Sequence, residues 1–191
     1  MNSLKHRIRQ DCRNLGRAIL KVDAFINHQV DPQLMNECGL ELAQRFRATG
    51  ATKVLTAEIS GIAPAFCTAL ALGLQVVYAR KQRPITMPDQ IYLTIAPSHT
   101  KAGRVELMVS PEYLGRDDRV LIVDDFLATG ETILGLARLA QAAGASIAGV
   151  GVVIEKTFEG GRQLVERLGV PVEALVRITD MSDDKIVFAD A

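Results

Sequence analysis

No stretch of this 191-residue sequence approaches the ~20 consecutive apolar residues that a membrane-spanning helix needs. The basic N-terminus, with Lys5, Arg7 and Arg9, is not followed by the apolar segment of a secretory signal, so a soluble, cytoplasmic protein is expected. Cysteine is sparse. Cys12, Cys38 and Cys67 are odd in number, far apart and without CxxC or Cys/His metal spacing, which argues for reduced thiols and against a disulfide framework. Net charge is absent as well: Lys plus Arg and Asp plus Glu number 22 each, so no overall field draws the chain onto nucleic acid or an anionic membrane. Any anion site must therefore be local. Internal repeats, low-complexity tracts and linkers are also missing.

What is present is ordinary globular material, 48% apolar and 23% charged, at a length that suits one domain spanning 1–191. Residues 34–46 place Met35, Cys38, Leu42 and Phe46 on one helical face, with Asp31-Pro32 as the start signal. A strand over 53–58, a helix over 63–72 closed by Gly73, and a strand over 75–79 follow. After the basic turn Arg80 to Pro84, 91–96 and 104–110 read as pairing strands. The spacing then gives a short strand over 119–123, a helix over 131–143 ended by Gly144 and a buried strand over 147–154. The same pattern repeats over 160–168 and 171–178. Such alternation predicts an α/β fold, a mainly parallel central sheet flanked by helices on both faces, with its site at the carboxyl ends of the strands. The first ~30 residues stand outside the alternation and read as a small N-terminal lobe.

One segment carries chemistry. Val120 to Val123 lead into two acids, Asp124 and Asp125, and then into the small-residue turn Ala128-Thr129-Gly130 before Glu131 and Thr132 open a helix. Small residues let backbone N–H groups converge on a phosphate, the two threonines offer hydroxyls, and the helix N-terminus adds partial positive charge. Asp124 and Asp125 are acceptors, suited to sugar hydroxyls or to a bound Mg²⁺. The blander alternative is a pair of acids capping a helix. No Gly-Lys-Ser/Thr follows, so a Walker A loop is excluded, and so is a dinucleotide fingerprint, which needs Gly-x-Gly-x-x-Gly. A phospho-acceptor receiver would need acids from several strand ends.

The string from Val120 to Thr132 resembles the signature of the type I phosphoribosyltransferases. Phe126 and Ala128 depart from the commonest residues in the way the xanthine-specific branch does. Leu20 to Gln29, Val77 to Lys81 and Val152 to Lys156 are similar to that branch too, so the resemblance spans nearly the whole chain. It implies transfer of the 5-phosphoribosyl group of 5-phosphoribosyl 1-diphosphate to xanthine, with Mg²⁺ bound alongside the diphosphate, and a homodimer. The lobe at 1–30 would then be a hood over the base.

Other residues carry two readings each. The turn at Ser60 and Gly61 is either a plain bend or, as the resemblance implies, a second anion cradle for diphosphate. Arg80 and Lys81 form either a solvated basic turn or, by resemblance, a diphosphate-neutralising pair. Lys156 reads as a surface ion pair with Glu155, or by resemblance as the donor to the 6-oxo oxygen of the purine, with Leu20 and Asn27 contacting the same base. Phe158 suits either a purine face or the core. His99, Thr100, Lys101 and Arg104 resemble a closing flap, with His99 read as flap surface rather than general base. The rival substrates are guanine and hypoxanthine, since a lysine reading a 6-oxo group does not demand a 2-oxo group. A rival class is a non-catalytic purine-sensing regulator bound to nucleic acid. Zero net charge and the lack of an N-terminal helix-turn-helix speak against it.

Overall fold

The computed structural model describes residues 1–16, 18–97, 104–182 and 185–189. The chain begins with α1 (Asn2–Asp11), the two short strands β1 (Arg13–Asn14) and β2 (Leu20–Lys21), and a π-helical turn at Asp23–Asn27. It continues through α2 (Pro32–Phe46), β3 (Lys53–Ala57), α3 (Ile62–Leu72), β4 (Gln75–Ala79), β5 (Tyr92–Pro97) and β6 (Arg104–Val109). The second half runs β7 (Arg119–Leu127), α4 (Glu131–Ala142), β8 (Ser146–Lys156), α5 (Gly161–Val165), β9 (Val172–Asp180) and β10 (Val187–Phe188). Local signals set several boundaries. The Asp31 carboxylate accepts the Leu34 N–H at 3.1 Å, which caps α2 just ahead of Pro32, and Gly73 ends α3 at φ 71°.

Six strands form the central sheet in the order β10-β9-β8-β7-β3-β4. All pairs are parallel except the edge pair β10 and β9. Alternate side chains enter opposite faces, as the pleat requires. Leu121 and Val123 join the core beneath α2 and α3, whereas Val120 and Ile122 join the core beneath α4 and the antiparallel β5–β6 hairpin. The expected two-sided α/β architecture is thus present. Connections leave β3 and β7 in opposite directions across the sheet, which makes the gap between their carboxyl ends the topological switch point where ligands of such sheets bind.

Two expectations need adjustment. The strand predicted to stop at Val123 runs on to Leu127, because the eleven-residue β8 offers partners beyond the acids: Asp124 pairs with Val152, Phe126 with Ile154 and Leu127 with Glu155. The N-terminal 30 residues have no core of their own. Leu4, Ile8, Leu20, Val22, Phe25 and Ile26 are buried in the cluster shared with α2, α3 and the sheet. None of the described helices is long and apolar enough to cross a membrane.

Candidate active site

A cavity of about 530 Å³ opens at the switch point, between the carboxyl ends of β3 and β7 and under the N-terminal segment. Asp124, Asp125, Phe126, Ala128, Gly130, Glu131 and Thr132 line one wall, and Glu58, Ser60, Gly61 and Lys81 line another. Leu20 and Asn27 of the N-terminal segment and Lys156 at the end of β8 close it. A larger groove, of about 770 Å³ between α1 and β10, is lined by Lys5, Arg9, Arg13, Lys185 and Phe188.

The acids sit where β7 ends, and their environment is severe. Asp124 is almost wholly buried, and its Oδ1 accepts the Asp125 N–H at 3.0 Å. Burial drives the Asp124 carboxyl well above the ordinary range, and the adjacent Asp125 charge pushes the same way. Asp125 is also raised by burial, against hydrogen bonds that favour its ionised form. Gly61 explains how two loops come so close: a Cβ on it would collide with Asp124 Oδ1 and Thr56 Oγ1, so only glycine fits. Thr56 is fully buried and its hydroxyl has no hydrogen-bond partner among the described residues.

Beyond the acids, Gly130 takes φ 82° as the N-cap of α4, a conformation that turns the chain from strand to helix within three residues. Across the cavity the Ser60 hydroxyl donates to Asn27 Oδ1 at 2.7 Å, and Asn27 Nδ2 donates to Asp23 at 3.1 Å. The N-terminal segment is thereby tied to the turn at Ser60. The Glu58–Ile59 peptide bond is cis.

Glu58, which sequence reasoning overlooked, organises the basic turn. Its carboxylate takes the Arg80 Nε at 2.8 Å and the Lys81 backbone N–H. Lys81 lines the cavity, but Arg80 does not: its guanidinium lies 5.8 Å from the Tyr78 ring centre and its backbone pairs with Met108. Thr129 also lies outside the lining. No signal in the sequence separated Arg80 from Lys81, since the partner of Arg80 is 22 residues away.

Lys156 does not pair with Glu155. Its Nζ donates to the Ala18 carbonyl at 2.6 Å, meets Glu159 at 3.1 Å and lies 5.1 Å from the centre of the Phe126 ring. An ammonium has three donors, and among the described residues these two partners take two of them. The buried Glu155 is held instead by Arg162. Phe158 is 43% exposed and belongs neither to the cavity lining nor to the core, which makes Phe126 the aromatic of this site. His99, Thr100 and Lys101 of the expected flap lie outside the described residues, and Arg104 is exposed at the start of β6.

A family model of the phosphoribosyl transferase domain matches residues 50–180, most of the chain and all of the two turns. This chain belongs to the phosphoribosyltransferase family. A xanthine phosphoribosyltransferase of Listeria monocytogenes is 44% identical over 190 residues, covering 100% of this chain and 99% of that protein. Those of Levilactobacillus brevis and Deinococcus deserti are each 48% identical, over 189 and 191 residues, with at least 99% of both chains covered. Among solved structures, adenine phosphoribosyltransferase of Rhodothermus marinus gives a TM-score of 0.75 at 24% identity, covering 93% of this chain and 100% of that one. The enzyme of Thermoanaerobacter pseudethanolicus gives 0.74 at 23%, covering 92% and 98%. At these identities the likeness is one of phosphoribosyltransferase fold. Among the described residues no group of three or more His, Cys, Asp or Glu could hold a metal ion.

Proposed function

We propose that this chain transfers the 5-phosphoribosyl group from 5-phosphoribosyl 1-diphosphate to N9 of xanthine, giving xanthosine 5-monophosphate and diphosphate, in the cytoplasm. The observation that carries the reading is the convergence of two turns with Lys81 and Lys156 on a single cavity, in a chain up to 48% identical to xanthine phosphoribosyltransferases over its full length. Residues 1–191 act as one domain, with about 1–30 forming the hood.

In this reading Ala128 to Thr132 cradle the 5-phosphate with backbone amides and the start of α4. Ser60, Gly61 and Lys81 face the diphosphate, while Arg80, outside the cavity, holds the same turn through Glu58. Asp124 and Asp125 hold the ribose hydroxyls. As the C1 bond to diphosphate lengthens, positive charge grows on the ribose ring, and two carboxyls fixed in a water-poor cavity stabilise it better than water would. Mg²⁺ arriving with that substrate would supply positive charge to the diphosphate, and Asp124 and Asp125 would hold it through the ribose hydroxyls. The third N–H of Lys156 addresses the 6-oxo group, Phe126 and Leu20 offer apolar surface, and Asn27 adds a polar edge. Holding both substrates in line supplies the rest of the acceleration, with no nucleophilic side chain.

A second copy of the chain completes the molecule. The exposed Phe66 and Leu70 of α3, with Tyr78 on β4, form an apolar face of the kind that a homodimer covers.

The deciding experiment measures nucleotide formation from phosphoribosyl diphosphate with xanthine, guanine, hypoxanthine and adenine in parallel. Xanthine is expected to give the highest kcat/KM. A higher value for guanine or hypoxanthine would shift the assignment to that base, and no product with any base would leave the purine-sensing regulator.

A further inference from the structure

Beyond the phosphate turn lies an element with no role so far. The start of α5 presses on the turn from outside the cavity: the Gly161 N–H donates to the Ala128 carbonyl at 2.9 Å. A Cβ on Gly161 would sit 2.6 Å from both the Gly130 nitrogen and the Thr129 carbonyl carbon, and nearer still to the Ala128 oxygen. All three atoms are backbone, which cannot swing aside as a flexible side chain can. The contact is reciprocal, since a Cβ on Gly130 would meet the Gly161 oxygen and Val165 Cγ2, each at 3.1 Å.

The neighbouring residue fixes this contact in place. Arg162 binds Glu155 through two parallel hydrogen bonds, Nε to Oε1 at 2.7 Å and Nη2 to Oε2 at 2.6 Å, and its Nη1 reaches the Val172 carbonyl at 3.2 Å. Glu155 is 1% exposed and stands in register with Leu127, the last strand residue before the turn. A buried, bidentate pair holds its geometry far better than a surface ion pair. The ladder of β7 and β8 therefore sets one end of the turn, and the Glu155–Arg162 pair sets the helix that bears on the other.

We propose that Gly161 is a positioning residue for the phosphate turn, held by the Glu155–Arg162 pair, and that it sets affinity for the phosphoribosyl donor without touching it. The proposal rests on the donor assignment made above. Its mechanism is preorganisation: amides at 128–130 bind a phosphate tightly only if their directions are fixed beforehand. Lifting α5 by the width of a methyl group loosens the turn but leaves Lys156, Phe126 and the hood in place.

Gly161→Ala and Arg162→Lys test it by steady-state kinetics with phosphoribosyl diphosphate and xanthine varied in turn. Gly161→Ala is expected to raise KM for the diphosphate about tenfold or more, with KM for xanthine within about twofold. Arg162→Lys keeps the charge but loses the fork, and is expected to raise the same constant about threefold. A donor KM within about twofold of wild type in a folded Gly161→Ala protein overturns the proposal, as does an equal rise in both constants. If Gly161→Ala yields no folded protein, Arg162→Lys decides by the same split. Failure of the donor assignment reads differently, because the wild-type protein would then form no nucleotide.

Discussion

Asp124 is held at the end of β7 against its own electrostatics. Burial and the neighbouring Asp125 both favour its neutral form, so its folded pKa lies above the value of 3.8 from which it starts. The sign for stability follows: between those two pKa values the native state binds more protons than the unfolded chain, and stability declines as pH rises. The favourable, protonated condition is complete below about pH 4 and is lost as pH climbs through the folded pKa. Asp124→Asn removes that slope and keeps the Oδ1 that accepts the Asp125 N–H. Urea denaturation is expected to show the variant more stable than wild type at pH 7 to 8, with the difference shrinking toward pH 4. Turnover should fall about 10²-fold, the usual scale for losing one transition-state contact. A variant no more stable than wild type at pH 8, or one with full turnover, would remove Asp124 from the role given to it.

Helices α2 and α3 pack closely at one glycine. A Cβ on Gly39 would lie 2.5 Å from both the backbone carbon and the Cβ of Cys67, and 2.7 Å from the Thr68 nitrogen. On an isolated helix Gly→Ala gains about 1 kcal/mol. Here the backbone of α3 blocks the methyl group, and overpacking of about 1–3 kcal/mol wins. Gly39→Ala is expected to lower stability by about 1–2 kcal/mol in urea while both KM values stay put; a more stable protein would show that the helices separate freely. The sequence exposes α2 and α3 well, because periodic apolar residues, Asp31 and Gly73 act locally. It conceals the length of β7, since Asp124 and Asp125 look like a loop until β8 supplies the partner strand. The segment at 160–168 was legible as a helix, given by the structure as α5 and a 3-10 turn at Glu166–Leu168, but the Gly161 contact and the Glu155–Arg162 pair that hold so short a helix were not. At the site, the wall formed by the turn after β7 was readable because its residues are consecutive. Glu58 with Arg80, Ser60 with Asn27 and Lys156 with Ala18 were not, for each pair joins residues far apart in sequence.

At the scale of the molecule, the sheet is finished at one edge and not at the other. Beyond β9 the short antiparallel β10 closes the ladder, whereas β4 ends the opposite side with Tyr78 43% exposed. Beside it α3 presents Phe66 at 58% and Leu70 at 67% exposure, one helical turn apart, and a groove of about 590 Å³ runs between them and Tyr113. Covering one such side chain contributes about 1.5–3 kcal/mol, and a two-fold interface counts each residue twice. Ile59, which both protrudes and lines the cavity, stands on the turn that opens α3, so this face adjoins the proposed diphosphate cradle. Light scattering is expected to give twice the chain mass of 20.7 kDa for wild type and the single-chain mass for the Phe66→Glu, Leu70→Glu variant. Both substitutions are on exposed positions, so circular dichroism of the variant should match wild type. A wild-type mass of one chain, or an undisturbed two-chain mass in the variant, would place the partner elsewhere or nowhere. Loss of donor affinity in the dissociated variant, with xanthine affinity retained, would further tie the second copy to the turn at Ser60 and Gly61.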